Sequence, residues 1–229
     1  RTYTGVSLLG MFLCYTTEVR DRLLFFNQRQ LLRQQQRTQA LAERLHRLSR
    51  EDSLTGLANR RSFDEALDRE WRRCQRDQQP LTIMLVDVDC FKAYNDHYGH
   101  LQGDRCLQQL SGELRRYGRR GGDVVARFGG EEFVMLYPGI GETEAQQLAS
   151  RVCRSIRALA IPHCCNPDSG EVTVSLGVAV LTPGPKQTAM ALLDAADRAL
   201  YQAKQSGRDT WRLYEPPPRV RLVKDDKGL

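Results

Sequence analysis

Residues 126–136 read ARFGGEEFVML, and this stretch decides the fold. Two adjacent glycines, followed by Glu131 and Glu132, stand between apolar arms. That is the pattern of a β-hairpin whose tight turn needs dihedrals that glycine adopts freely. A hairpin also forces an antiparallel pair into whatever sheet contains it. Taken alone, the tip has a plainer reading as a solvated turn, because Gly-Gly marks turns in any fold.

Working outward, the arms of the hairpin are expected over 123–128 and 132–137. Residues 81–88, LTIMLVDV, form a short apolar run rich in β-branched residues and read as a buried strand. Further strands are expected over 172–181 and, at an edge, 210–214. Helices are expected over 60–77, capped by Asn59 and stopped before Pro80, over 103–116 and over 143–159. An amphipathic helix follows, with Ala189, Leu193, Ala196, Leu200 and Ala203 on its apolar face and Gly207 closing it. The stretch CFKAYNDHYGHLQGD (90–104) reads as a polar loop. Alternating helices and strands with one tight hairpin predict an α/β sandwich of ferredoxin-like or palm type, built on a central, mostly antiparallel sheet.

A long linker helix precedes this domain. Residues 17–50 contain no Gly or Pro and carry a heptad frame with Leu24, Leu31, Thr38 and Leu45 at one seam position. Asn27, Gln34, Leu41 and Leu48 occupy the other. Such a seam, polar in its middle, suits two parallel chains or a helix laid on its own domain. Before it, residues 6–15 (VSLLGMFLCY) are an apolar run about half as long as a bilayer-spanning helix. Residues 1–16 therefore read either as the end of a membrane segment or as a short helix facing a partner or the interior. Arg20 and Arg22 favour a cytoplasmic exit. The tail over 215–229, with three prolines and alternating charge, is expected to be disordered.

Composition narrows the function classes. The 229 residues are 41% hydrophobic and 27% charged, with a formal net charge of +6, a basic lean that suits a phosphate-rich ligand. No basic stripe interleaves with aromatics, so a nucleic-acid partner is not expected. Seven cysteines without CxxC spacing indicate neither a zinc site nor a disulfide framework and point to a reducing compartment. The adjacent Cys164 and Cys165 read as two small apolar loop residues, with a redox pair as the alternative.

Asp87 stands at the end of an apolar strand, where a carboxylate is expensive unless paired or bound to metal. With Glu131 and Glu132 it offers hard oxygen donors of the kind Mg²⁺ takes beside substrate phosphates. Lys92, Lys204 and Arg208 supply nearby positive charge, and phosphoryl transfer asks for little beyond position and charge.

Residues from Asp52 to Tyr214 resemble the GGDEF family of diguanylate cyclases through several motifs at once: DSLTGLANRR (52–61), DVDCFKAYND (87–96), GHLQGD (99–104), RFGGEEF (127–133) and ALYQAKQSGR (199–208). The resemblance implies a catalytic domain over 51–214 that condenses two GTP into cyclic di-GMP and two pyrophosphates. It implies Asp87, the Val88 carbonyl and Glu131 as ligands for Mg²⁺, two ions in all, with Mn²⁺ able to substitute. Glu131 or Glu132 becomes the candidate base, and Lys92 a stabiliser of transition-state charge. The amides of Cys90 and Phe91, with Lys92, Lys204 and Arg208, become a phosphate cradle. Asn95 and Asp104 match the guanine-reading pair, and His100 is similar to a position near the nucleotide, with loop packing as its alternative role. Arg120 and Asp123 match the family's RxxD site for inhibitory product, with Arg151 as a further contributor.

Two chains, each holding one GTP, would have to face one another, so a homodimer is implied. The implied location is a cytoplasmic catalytic domain, with an inner-membrane anchor N-terminal to it as one arrangement. Two departures stand out. Cys90 replaces a larger apolar residue, and Asp209 replaces the usual Asn after the GR pair. The rival from another class is a non-catalytic cyclic di-GMP receptor using Arg120 and Asp123; the retained Asp87, Glu131, Glu132 and Lys204 argue against it, and Asp104 argues against altered nucleotide choice.

Overall fold

Strand β2 (Leu81–Val88) is buried along its whole length, as expected of a central strand covered on both faces. Its side chains alternate: Leu81, Ile83 and Leu85 enter one apolar cluster, and Met84, Val86 and Val88 the other. This computed structural model describes residues 28–30, 32–37, 50–167 and 169–216. The sheet has six strands in the order β1-β3-β4-β2-β5-β6, with β1 at Ala58–Asn59, β3 at Val124–Gly129, β4 at Glu132–Pro138, β5 at Val174–Leu181 and β6 at Trp211–Leu213. The β2–β4, β2–β5 and β3–β4 pairs are antiparallel, and the short edge strands β1 and β6 are parallel to their neighbours.

The four inner strands carry the ferredoxin-like β-α-β-β-α-β connection. Helices α2 (Phe91–Tyr98), α3 (His100–Arg115) and α4 (Glu142–Arg157) supply Phe91, Leu110 and Val152, among others, to the cluster containing Met84. Helices α1 (Arg60–Asp77) and α5 (Ala189–Gln205) cover the opposite face with Phe63, Trp71, Leu192 and Leu200. Asn59 caps α1 as expected, its side chain accepting from the Ser62 amide at 3.0 Å. On α5 the buried stripe is Leu192, Ala196, Ala199, Leu200 and Ala203, so Leu193 and Ala189 sit at its margin.

At Gly177 on β5, α5 lies backbone to backbone against the sheet: a Cβ there would stand 2.1 Å from the Ala196 carbonyl oxygen and 2.2 Å from the Leu200 nitrogen. The predicted loop over 90–104 is instead α2 and the first turn of α3, separated by Gly99. Only Phe91 and Tyr94 of α2 are buried, one turn apart, which is enough to hold a short helix whose Asn, Asp and His residues favour it little.

The chain forms two compact units, Arg1–Ser49 and Arg50–Leu229. In the first, residues 28–30 and 32–37 are helical and exposed. The expected membrane segment over 1–16, the seam positions 24, 27, 31, 38, 41, 45 and 48, and the tail beyond 216 lie outside the described residues. Among the described residues no helix is long and apolar enough to cross a membrane.

Candidate active site

The period of two along β2 decides where its carboxylate goes. Asp87 shares a face with Leu81, Ile83 and Leu85, the face that α5 covers. Across the β2–β4 ladder Asp87 pairs in register with Glu132, and directly opposed residues of an antiparallel pair project to the same side. Glu131 follows at the turn, its carbonyl accepting from the Val88 amide at 3.4 Å. Lys204, in the last turn of α5, reaches Asp87 Oδ2 at 2.8 Å. Burial pushes the Asp87 carboxyl above its ordinary value; the Lys204 hydrogen bond and charge pull it back, and Glu131 and Glu132 push it further up. Asp87 and Glu132 on adjacent strand ends, with Glu131 at the turn between the hairpin arms, are hard oxygen donors of the chemical kind that a small divalent cation takes.

Beyond Asp87 the chain turns sharply into α2 through Cys90, whose φ of +55° is left-handed. The turn is held by Asp89, which the sequence placed beside Asp87 without a role. Its buried carboxylate accepts from Thr173 Oγ1 at 2.8 Å, Ser175 Oγ at 2.7 Å and the Asp209 amide at 3.0 Å. That last bond ties the turn after α5 to the start of α2. Arg208 and Asp209 both have left-handed φ, which Asp tolerates well, and Asp209 forms an ion pair with Arg157.

His163 supports the same turn from below. It is fully buried, its Nε2–H donates to the Cys90 carbonyl at 3.2 Å, and its ring meets Tyr94 edge to face at 5.1 Å. Nδ1 is buried without a partner among the described residues, so a proton there would bring an unpaired charge inside. Burial accordingly depresses the His163 pKa below 6.5, with the Cys90 bond working against it. A depressed histidine contributes stability above its unfolded-state value, and this is lost as pH falls through 6.5 towards the lower folded value. Between about pH 7 and about pH 5, the parent should therefore lose more stability than His163→Gln protein, the difference having a slope of up to about 1.4 kcal/mol per pH unit. Parallel denaturant-derived stability curves for the two proteins would exclude this role.

Asn95 on α2 directs its Oδ1 at Gly103 on α3, where a Cβ would stand 1.8 Å away, so a larger residue there would displace the Asn95 side chain. That oxygen is buried and has no protein partner among the described residues. Asp104, the next residue of α3, is exposed beside this point, as are Lys92, His100 and Arg208 at their own positions. At the turn of the hairpin, Arg127 donates to the Gly130 carbonyl from Nε at 2.9 Å and Nη2 at 2.7 Å. Its Nη1 pairs with Asp52 at 3.1 Å. Asp52 also accepts from the Thr55 amide and hydroxyl at 2.9 and 2.8 Å. Burial opposes ionisation of Asp52, and the Thr55 bonds with Arg127 more than offset it, so its carboxyl sits below the usual value.

At the other end of the hairpin, roughly 20 Å along β3 from the glycines, a cavity of about 530 Å³ is lined by Arg116, Arg119, Arg120, Asp123, Tyr137 and Arg151, among others. Asp123 Oδ2 accepts from the amides of Arg119 and Arg120 at 3.2 and 2.9 Å and so closes the turn that carries both arginines.

Residues 49–210 match the sequence family described as diguanylate cyclase, GGDEF domain. The chain belongs to this family. Among its relatives, the diguanylate cyclase DgcP of Pseudomonas aeruginosa is 40% identical to the GGDEF domain over 158 residues, covering 69% of this chain and 23% of that protein. The chain therefore spans about a quarter of that relative's length. Among solved structures, the GGDEF domain of DgcB from Caulobacter crescentus in complex with c-di-GMP is 30% identical, with a TM-score of 0.67 over 73% of this chain and 97% of that one. A DgcB structure that includes its coiled coil, also with c-di-GMP, is 28% identical with a TM-score of 0.66, covering 80% and 97%.

Of the residues expected from sequence, the GGDEF fold gathers Asp87, Val88, Glu131, Glu132 and Lys204 at one sheet end, with Cys90, Phe91 and Lys92 opening the adjoining helix. Arg120, Asp123 and Arg151 line a separate cavity. Asp89, His163, Asp52 and Arg127 hold the backbone of the first group; Asp52, Asp89 and Arg127 stand inside motifs the sequence had flagged, without a role of their own, and only His163 lay outside them.

Proposed function

We propose that this GGDEF domain is a diguanylate cyclase that condenses two GTP into cyclic di-GMP with release of two pyrophosphates. The observation that carries this reading is the in-register pairing of Asp87 with Glu132 beside Lys204, immediately before the N-terminal turn of α2. GTP would lay its phosphates along that turn, with amides of Cys90 and Phe91 donating and Lys92, Lys204 and Arg208 offsetting charge. Asp87, the Val88 carbonyl and Glu131 would hold Mg²⁺, two ions in the full site, with Mn²⁺ able to replace it. When bound, the metal supplies polarisation of phosphate oxygens and a more acidic ribose 3′-hydroxyl. Glu131 or Glu132 takes the hydroxyl proton as O3′ attacks the α-phosphorus and pyrophosphate leaves. Asn95 and Asp104 read guanine, the carboxylate accepting from its paired N–H donors, and His100 flanks the nucleotide.

One chain holds one nucleotide, so the reaction needs a homodimer in which two sites face each other. A linker over 17–50 with the heptad pattern of the sequence would be suited to set that encounter, and an anchor preceding it would keep the domain at the cytoplasmic face of a membrane. Arg120, Asp123 and Arg151 take the product as a feedback inhibitor. The names of the relatives support this reading, as does the presence of c-di-GMP in the DgcB structures.

Purified protein incubated with GTP and Mg²⁺ should yield a cyclic dinucleotide. Tight product binding without turnover would leave the receptor reading instead. A second expectation concerns the hairpin tip. Arg127→Lys keeps the charge but loses the fork that clamps Gly130 and Asp52 together. Its kcat should fall on the order of tenfold to a hundredfold, as for a displaced catalytic group, while c-di-GMP binding at Arg120 is unchanged. Equal loss of both would mean that Arg127 supports the fold at large.

A further inference from the structure

Three metal-ligating side chains meet on the side of α2 that the proposed reaction does not use. His97 on α2 and Cys164 and Cys165 in the loop between α4 and β5 place one ligand atom each within 4.8 Å of one another. The sulfurs are 3.6 Å apart, and both cysteines are exposed in the loop where the sequence reading put them. The Cys164 amide donates to Tyr98 Oη at 3.1 Å, seating the loop on α2, and the His97 ring stands edge-on to Tyr98 with centroids 4.5 Å apart.

We propose that His97, Cys164 and Cys165 form a binding site for a thiophilic divalent cation, with Zn²⁺ the ion that fits. Tetrahedral zinc, with Zn–S of about 2.3 Å, sets two thiolates about 3.8 Å apart, close to the 3.6 Å between these sulfurs. A linear two-thiolate arrangement would need them much farther apart. With Zn–N of about 2.0–2.1 Å the imidazole nitrogen belongs about 3.5 Å from each sulfur. His97 is exposed, and its ligand nitrogen already lies within 4.8 Å of both sulfurs. The fourth position stays open to water or an incoming ligand. Selectivity follows from softness: two thiolates and an imidazole prefer Zn²⁺, and the carboxylates at Asp87 and Glu131 prefer Mg²⁺.

The cation would also cross-link two segments. The loop that carries Cys164 and Cys165 carries His163, which holds the Cys90 carbonyl, and α2 carries Lys92 and Asn95. A ligand that binds only the folded arrangement raises the melting temperature by mass action.

The test uses the full, reduced chain in excess Mg²⁺, titrated with Co²⁺ as a spectroscopic stand-in for zinc. One equivalent should bind, with tetrahedral ligand-field bands and a thiolate-to-cobalt charge-transfer absorption, both displaced by Zn²⁺. The Cys164→Ser, Cys165→Ser double variant should lose the charge-transfer band, and His97→Ala should weaken binding by at least about tenfold. Asp87→Asn should leave the spectrum unchanged, which separates this site from the carboxylates. Binding without thiolate absorption, or absorption that survives the double cysteine variant, overturns the proposal. So does a melting temperature that Zn²⁺ raises equally in parent and double variant.

Discussion

Asp87→Asn protein is expected to melt no lower than the parent in metal-free buffer and to make cyclic di-GMP at least about a hundredfold more slowly. The two halves of that result have one cause. Asp87 is 8% exposed, and taking a carboxylate out of water costs several kcal/mol. Lys204 at 2.8 Å offsets part of this, but its own side chain is 36% exposed and solvent weakens the pair. Glu131 and Glu132 add like charge. Asparagine keeps the shape and removes the charge, and Lys204 is free to turn outward. The same change deletes an anionic donor from the metal set. Loss of even an outer partner of a metal ligand costs about 10- to 100-fold, and a direct ligand should cost more. Differential scanning calorimetry and initial rates decide the matter together. A drop of more than about 4 °C, on the order of 1 kcal/mol in a chain of this size, would mean that the ion pair is net stabilising. Near-parental turnover would remove Asp87 from the chemistry.

Arg120→Ala should weaken c-di-GMP binding by about 10- to 100-fold, the worth of a charge-assisted pair of hydrogen bonds, and should shift the product-inhibition curve by the same factor. The initial rate without product should stay at the parental value, since the cavity lies at the far end of the hairpin from the glycines. The variant is a clean probe because the Arg120 side chain does not hold the turn; Asp123 does, through the amides of Arg119 and Arg120. Asp123→Ala should therefore lose binding and local order together, and it is the less informative change. Arg116, Arg119 and Arg151 remain in the cavity, so loss should be partial. Identical inhibition curves for parent and Arg120→Ala would assign the cavity no part in feedback.

The hairpin and the central strand were legible in the sequence because their signals are local. GGEE needs a turn, and LTIMLVDV needs burial on both faces. What escaped depends on register and on contacts between distant segments. Nothing near Asp87 says that it faces Glu132 rather than Phe133; the β2–β4 register decides that. Lys204 was legible as a cation at a helix end and, through the resemblance, as part of a phosphate cradle, but its ion pair with Asp87 was not; that follows from how α5 crosses β5. Helix α2 was missed because it buries only Phe91 and Tyr94 and its remaining residues suit a loop equally well. The convergence of His97 with Cys164 and Cys165 had no spacing signature at all, since a loop and a helix bring them together.

The contact at Gly177 bears on how this domain can change over many generations. Apolar cores drift by exchanges of similar side chains, and each exchange shifts packed layers by some tenths of an ångström. Between α5 and β5 there is no side chain to exchange at the point of closest approach: the backbone around Ala196 and Leu200 rests on the glycine itself. Lys204 lies one turn beyond Leu200, so its distance from Asp87 is referred to a backbone contact rather than to the volume of any residue. Drift in the surrounding layers can then accumulate without carrying the lysine away from its carboxylate, whereas even a single methyl at 177 would lift the helix that carries it.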